Sequence, residues 1–101
     1  MNVVYIAGKF RDATPYKIHC NVIKAEEAAL MIWQSGDVAL CPHLNTQNFQ
    51  GELPDGIFLD GCLELLRRCD AIYMLSNYKD SVGSLAELEL AKELGLEIYY
   101  E

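Results

Sequence analysis

Apolar positions along this chain alternate between short unbroken runs and longer periodic stretches. Val3-Val4-Tyr5-Ile6-Ala7 is apolar without alternation and stops at Gly8, as a strand covered on both faces reads. Thr14-Pro15 then opens a helix, with Thr14 at the N-cap and Pro15 at the first helical position. Ile18, Val22, Ala25, Ala29, Ile32 and Trp33 follow at helical spacing, and Gly36 closes the helix. Asp37-Val38-Ala39-Leu40-Cys41 reads as a second strand stopped by Pro42. From about Pro42 to Pro54 the chain is polar with a single Phe49, which predicts a long loop. A second helix runs from about Asp55 to Arg68, with Phe58, Cys62, Leu65, Leu66 and Cys69 on one side. Asp70-Ala71-Ile72-Tyr73-Met74-Leu75 is a third strand. A third helix runs from about Val82 to Leu94 and ends at Gly95, and Glu97-Ile98-Tyr99-Tyr100 is a last short strand.

Strands alternating with helices predict an α/β fold, a small Rossmann-like parallel sheet of about four strands with helices on both faces. Crossovers should be right-handed. Ligands in such folds bind at the carboxyl ends of the strands, so the informative segments are Gly8 to Arg11, Pro42 to Phe49 and Ser76 to Glu87.

With 101 residues, a single domain over 1–101 is expected. Apolar residues at 51% and charged residues at 23% are globular proportions and exclude disorder. Fifteen acidic against eight basic side chains give a net charge of −7, which argues against a nucleic-acid polymer as partner but not against a small anion in a local cationic pocket. No apolar run approaches the ~20 residues of a membrane span, and no basic and apolar leader opens the chain. Cys20, Cys41, Cys62 and Cys69 lack CxxC spacing and paired histidines. They are expected to be free thiols, so a cytoplasmic protein without a metal site is expected.

The third helix holds the sharpest signal. On a wheel of about 100° per residue, Gly83, Leu90, Ala91 and Leu94 cluster on one side with Glu87 among them, and Glu89, Lys92 and Glu93 fall opposite. A carboxylate aimed at the sheet is costly unless it is paired or used. Two readings stand. Ser84-Leu85-Ala86-Glu87 fits a capping box, with Glu87 turning back to a backbone N–H; or Glu87 serves a site. Ser81, Gly83 and Ser84 at the helix start either cap it or cradle a phosphate or sugar hydroxyl. Gly8 permits close approach after the first strand, and Lys9 and Arg11 are either surface charges or an anion site. His43, directly after the second strand, is either structural or a ligand contact. Leu85 and Leu88 fall away from Leu90 and Leu94, which predicts exposed leucines and an interface.

Tyr5-Ile6-Ala7-Gly8-Lys9-Phe10-Arg11, the aspartate-led strand Asp70 to Leu75, and Ser81-Val82-Gly83-Ser84-Leu85-Ala86-Glu87 together resemble the nucleoside 2-deoxyribosyltransferase superfamily, in the right order over nearly the whole chain. Pro42-His43, Arg68-Cys69-Asp70 and the Ser-x-Gly-Ser-x-x-Glu run are similar to a small uncharacterised phage and bacterial family within it. The resemblance implies a flavodoxin-like sheet, a homodimer or higher homo-oligomer, and a glutamate nucleophile that cleaves an N-glycosidic bond. It places the nucleophile at Glu87 and the tyrosine and glycine of the first strand at Tyr5 and Gly8. The transferases carry an aspartate six residues before the nucleophile. This chain has Ser81 there, as do the related deoxynucleoside 5′-monophosphate N-hydrolases, whose first-loop arginine resembles Arg11. That departure points to a nucleotide over a free nucleoside. Both enzyme groups also carry an aspartate on the second helix that contacts sugar or base, and here that position is Cys62, with Asp60 and Glu64 nearby but out of register.

The reaction so implied is attack of Glu87 on C1′ through an oxocarbenium-like transition state, as in retaining glycosidases, followed by transfer to water or another base. No cofactor is required. His43, Asp60 and Glu64 are candidate acids for the leaving base, and Asn45, Gln47, Asn48 and Phe49 are candidates to hold the base. The alternatives are a catalytically inactive nucleotide-binding module and a structural interaction protein.

Overall fold

A computed structural model describes all 101 residues. Four parallel strands, β1 (Val3–Ala7), β2 (Val38–Leu40), β3 (Ala71–Met74) and β4 (Glu97–Tyr100), form one sheet in the order β2-β1-β3-β4. Four helices connect them: α1 (Pro15–Gln34), α2 (Pro42–Thr46), α3 (Asp55–Arg67) and α4 (Val82–Leu94). The α/β class, the parallel sheet and its strand count are those expected from the pattern. The chain direction switches sides between β1 and β3, so the carboxyl end of β1 opens a crevice there.

Alternation along β1 divides its side chains between two cores. Val4 and Ile6 pack with Ala71 and Leu75 against Ala25, Ala28, Ala29 and Ile32 of α1. Tyr5 and Ala7 pack with Ile72 and Met74 against Leu66 of α3 and Leu88 and Ala91 of α4. Helices therefore cover both faces. The start of β1 is pinned by two aspartates that precede the neighbouring strands. Asp37 Oδ1 accepts from the Asn2 N–H at 2.9 Å and Asp70 Oδ2 from the Val3 N–H at 2.8 Å.

Local chemistry sets the helix ends. Thr14 Oγ1 caps α1 by accepting from the Lys17 N–H at 3.2 Å, with Pro15 in the first turn. Gly36, at φ 97°, and Gly95, at φ 69°, take the left-handed conformation that ends α1 and α4.

Three expectations are corrected. The segment from Pro42 to Pro54 is not one long loop. Pro42 stands in the first turn of α2, and a 3₁₀ turn over Gln47–Phe49 follows; the proline that ends β2 also starts a helix. Leu88 is buried, because the covered face of α4 is Ser84, Glu87, Leu88 and Ala91, while Leu85 and Leu94 are exposed. The buried arc is rotated from the one the apolar residues suggested, since two of its four members are polar. Trp33 is exposed and Ala28 takes its place in the core, because α1 packs on its row of alanines and Trp33 falls at the margin of that row. No helix is long and apolar enough to cross a membrane.

Candidate active site

A cavity of about 570 Å³ opens at the carboxyl end of β1, between the loop after β1, α3 and the first turns of α4. Among the buried polar residues that line it is Glu87, 8% exposed. The capping-box reading of this residue does not hold. The N-cap of α4 is Ser81, whose Oγ accepts from the Ser84 N–H at 3.1 Å. The helix thus starts one turn before Ser84, and Glu87 lies in its second turn, past the N–H groups it would cap. Its carboxylate turns to the sheet, where the Tyr5 hydroxyl donates to Oε2.

Burial pushes Glu87 up to about 7, against the opposing pull of the Tyr5 hydrogen bond. Burial, followed by the Glu87 charge, pushes the Tyr5 phenol far above its usual range. Tyr5 therefore remains a donor at any working pH. Cys62 of α3 lines the cavity and packs against the cluster that holds Tyr5, and burial raises its thiol. The carboxylate thus faces a neutral phenol and a neutral thiol in a largely dry corner, where charge interactions are strong.

The loop after β1 forms the opposite wall. Gly8 is required by close approach, since a Cβ there would stand 2.8 Å from Leu75 Cβ. Asn77 Oδ1 accepts from the Lys9 N–H at 2.9 Å and fixes the loop. Lys9 and Arg11 both line the cavity, together with Ser81 and Gly83. Each cation already has a carboxylate: Lys9 Nζ lies 3.6 Å from Asp12, and Arg11 pairs with Asp55 at the start of α3 and donates to Gln50 at 3.1 Å. Both members of the Arg11–Asp55 pair are mostly exposed, so an incoming anion competes with a weak contact.

His43 is buried in the wall, its Nε2 3.1 Å from the Lys9 carbonyl and its ring edge-on to Phe10. Burial lowers its pKa, so the ring is a neutral brace for the loop. Asn45 lies apart from the main cavity and lines a smaller neighbouring hollow with Ile57, Gly61 and Leu65. Gln47, Asn48 and Phe49 line neither, and Asp60 and Glu64 are outside the main cavity, Glu64 being paired with Arg67 and Arg68. Thr46, Gln50, Asp55 and Phe58 line it instead. Of these, Thr46 and Gln50 are polar residues of the segment read as a loop, adjacent in sequence to the residues named there. No group of three or more His, Cys, Asp or Glu side chains is placed to hold a metal ion.

The family model described as a domain of unknown function, DUF4406, matches residues 2–100. The chain belongs to that family. Among solved structures, this DUF4406 chain is similar in fold to a 2-desoxiribosyltransferase from Leishmania mexicana, with 21% identity and a TM-score of 0.69 over 99% of the chain. It is also similar to a 2-deoxyribosyltransferase from the psychrotolerant bacterium Bacillus psychrosaccharolyticus, with 22% identity and a TM-score of 0.66 over 97% of the chain. The DUF4406 chain spans 63% and 70% of those two chains. A search of curated protein sequences finds no match.

Proposed function

We propose that this protein binds a deoxynucleotide in the cavity at the end of β1 and cleaves its N-glycosidic bond with Glu87 as nucleophile. The observation that carries this reading is the buried Glu87 carboxylate, held by the Tyr5 hydroxyl in the cavity. The fold shared with 2-deoxyribosyltransferases supports the substrate class. Ser81 at the N-cap of α4 and the weakly paired Arg11 and Lys9 support a 5′-phosphate.

In this reading a Glu87 oxygen bonds to C1′ as the bond from C1′ to the base breaks, and the electron pair leaves on the base nitrogen. The base takes its proton from solvent, since His43 is occupied by the Lys9 carbonyl and Asp60 and Glu64 lie outside the cavity. Water then opens the glycosyl ester, releasing the sugar and restoring the carboxylate; a second base in place of water gives transfer. Tyr5 keeps its proton throughout and orients the attacking oxygen. Only ionised Glu87 attacks, so the rate rises with pH through about 7.

A second reading, binding without chemistry, rests on Cys62, a neutral thiol beside Tyr5 at the position the resemblance gives to an aspartate that contacts sugar or base. Single-turnover incubation with a panel of deoxynucleoside 5′-monophosphates, followed for free base, separates the two. Release by the wild type and none by Glu87→Gln supports cleavage. No release from any nucleotide, with binding retained, overturns it in favour of the binding module.

Exposed Leu53, Ile57, Val82 and Leu85 around the starts of α3 and α4 support a homo-oligomer joined through α3 or α4. A solution mass of one chain by light scattering would overturn that part. Four unbridged cysteines support a reducing, cytoplasmic setting.

A further inference from the structure

The segments that follow β1, β2 and β3 meet on one residue, Lys9, whose backbone is held on both sides. Its N–H donates to Asn77 Oδ1 at 2.9 Å, and its carbonyl accepts from His43 Nε2 at 3.1 Å. Gly8 lets the first of these contacts form, since a Cβ there would stand 3.0 Å from Asn77 Oδ1 and closer still to Leu75. Asn77 is tied in turn to the start of α4. It opens a single 3₁₀ turn, Tyr78–Asp80, in which the Asp80 N–H donates to the Asn77 carbonyl at 3.2 Å and the Ser81 N–H to the Tyr78 carbonyl at 3.1 Å. Lys9 and Ser81 therefore stand at the two ends of one short hydrogen-bonded link, and both line the cavity. An asparagine before a helical turn ordinarily caps it with its side chain. Asn77 makes no such cap and sends its oxygen across to the other loop, so the turn gives no reason for the amide.

We propose that Asn77 is a positioning residue for the phosphate end of the ligand. By holding the Lys9 backbone it sets the span between the cations of the β1 loop and the Ser81 end of α4. This rests on the reading of the cavity as a deoxynucleotide site. Asn77 does not line the cavity, so it acts through Lys9 and not by touching the ligand. A loop fixed before the ligand arrives spares the affinity that ordering it on binding would cost. His43 grips the same residue from the other side, with its ring edge-on to Phe10. The carbonyl it faces requires the proton on Nε2. The two neutral side chains thus place two charged ones, Lys9 and Arg11, without competing for the phosphate.

The experiment adds Asn77→Ala or Asn77→Asp to the non-cleaving Glu87→Gln protein; aspartate keeps the acceptor oxygen. Hydrogen exchange at the Lys9 amide reads the hold on the loop. It is expected to stay slow with Asn77→Asp and to quicken by roughly ten-fold with Asn77→Ala. Calorimetry reads the consequence. A deoxynucleoside 5′-monophosphate is expected to bind the Asn77→Ala protein roughly five- to ten-fold more weakly than its Glu87→Gln parent, while the matching deoxynucleoside, without the phosphate, stays within about two-fold. A damaged fold would weaken both ligands alike. Equal losses for the two ligands, unchanged nucleotide affinity, or unchanged exchange at Lys9 overturn the positioning role and leave the site standing. Failure of both ligands to bind the Glu87→Gln parent at millimolar concentration overturns the deoxynucleotide reading, and this role with it.

Discussion

The two faces of β1 are built for different ends. Toward α1 the sheet presents Val4 and Ile6 to a row of alanines and Ile32, with no ionisable or hydroxyl group in the cluster except the Cys41 thiol and the half-buried Tyr73 at its margin. Toward α3 and α4 it presents Tyr5, and the helices answer with Glu87, Ser84 and Cys62. Both faces are well buried, but only one holds a buried carboxyl and a buried hydroxyl without a partner. The small residues of α1 let that helix approach closely and stabilise the fold through area and fit. The α4 side gives up some of that stability to hold a high-pKa carboxyl and an unpartnered hydroxyl, the pattern of a site and not of a core.

Substitutions on the two faces should then separate activity from stability. Glu87→Gln is expected to cut base release by roughly 10⁴-fold or more while the protein melts no lower at pH 8; the same assay on a variant that keeps activity would erase the distinction between the faces. On the other side, Ile32→Ala should cost about 2–5 kcal/mol of stability, read by urea unfolding, with the rate per folded molecule unchanged.

A pH series sharpens the contrast. Glu87 titrates at about 7 in the folded protein and near 4.5 in the unfolded chain. Between those values the folded state holds more proton, so stability is greatest at the low end and falls as pH rises to 7. The swing attributable to Glu87 is about 3 kcal/mol. His43, held neutral, acts in the opposite sense as pH falls through its ordinary range. The difference in unfolding free energy between wild type and Glu87→Gln isolates the carboxyl, and a difference flat with pH would show that its burial is not uncompensated. The smallest change in stability belongs to Arg11→Ala. It should lower nucleotide affinity by about 1.5–3 kcal/mol through loss of a charged hydrogen bond, yet shift unfolding by less than about 1 kcal/mol because its partner Asp55 is exposed. Unchanged affinity by calorimetry would remove Arg11 from the phosphate site.

How much of this was legible depended on distance along the chain. Val3–Ala7, Thr14-Pro15 and Gly95 are local signals, and they placed β1, the start of α1 and the end of α4 correctly. The misplacement of Glu87 on an apolar wheel is also local, and it pointed to the sheet side where the carboxylate lies. What pairs with it is not local: Tyr5 is 82 positions away, and Asp55 lies 44 positions from Arg11. Pro42 misled because the same ring ends a strand and begins a helix. Leu88 misled because the wheel was centred on Leu90 and Leu94, whereas the buried arc runs through Ser84, Glu87, Leu88 and Ala91 and leaves Leu94 exposed. The isolation of the Ser84 hydroxyl had no signal at all, since its S-x-x-E spacing is also that of a cap.

Tyr5 is paired across the sheet with Leu40 on one side and Ile72 on the other. A slip of one residue in β1 would turn its side chain toward α1 and offer Val4 or Ile6 to Glu87 instead. Such a molecule would keep the same helices and strands and give the same far-ultraviolet spectrum, yet leave the carboxylate without its donor. Tyr5 therefore acts as a proofreading mark for the sheet. Under the proposed cleavage reaction, the fraction of refolded chains that react in a single burst would count the correctly aligned molecules, a number that no measure of secondary structure supplies.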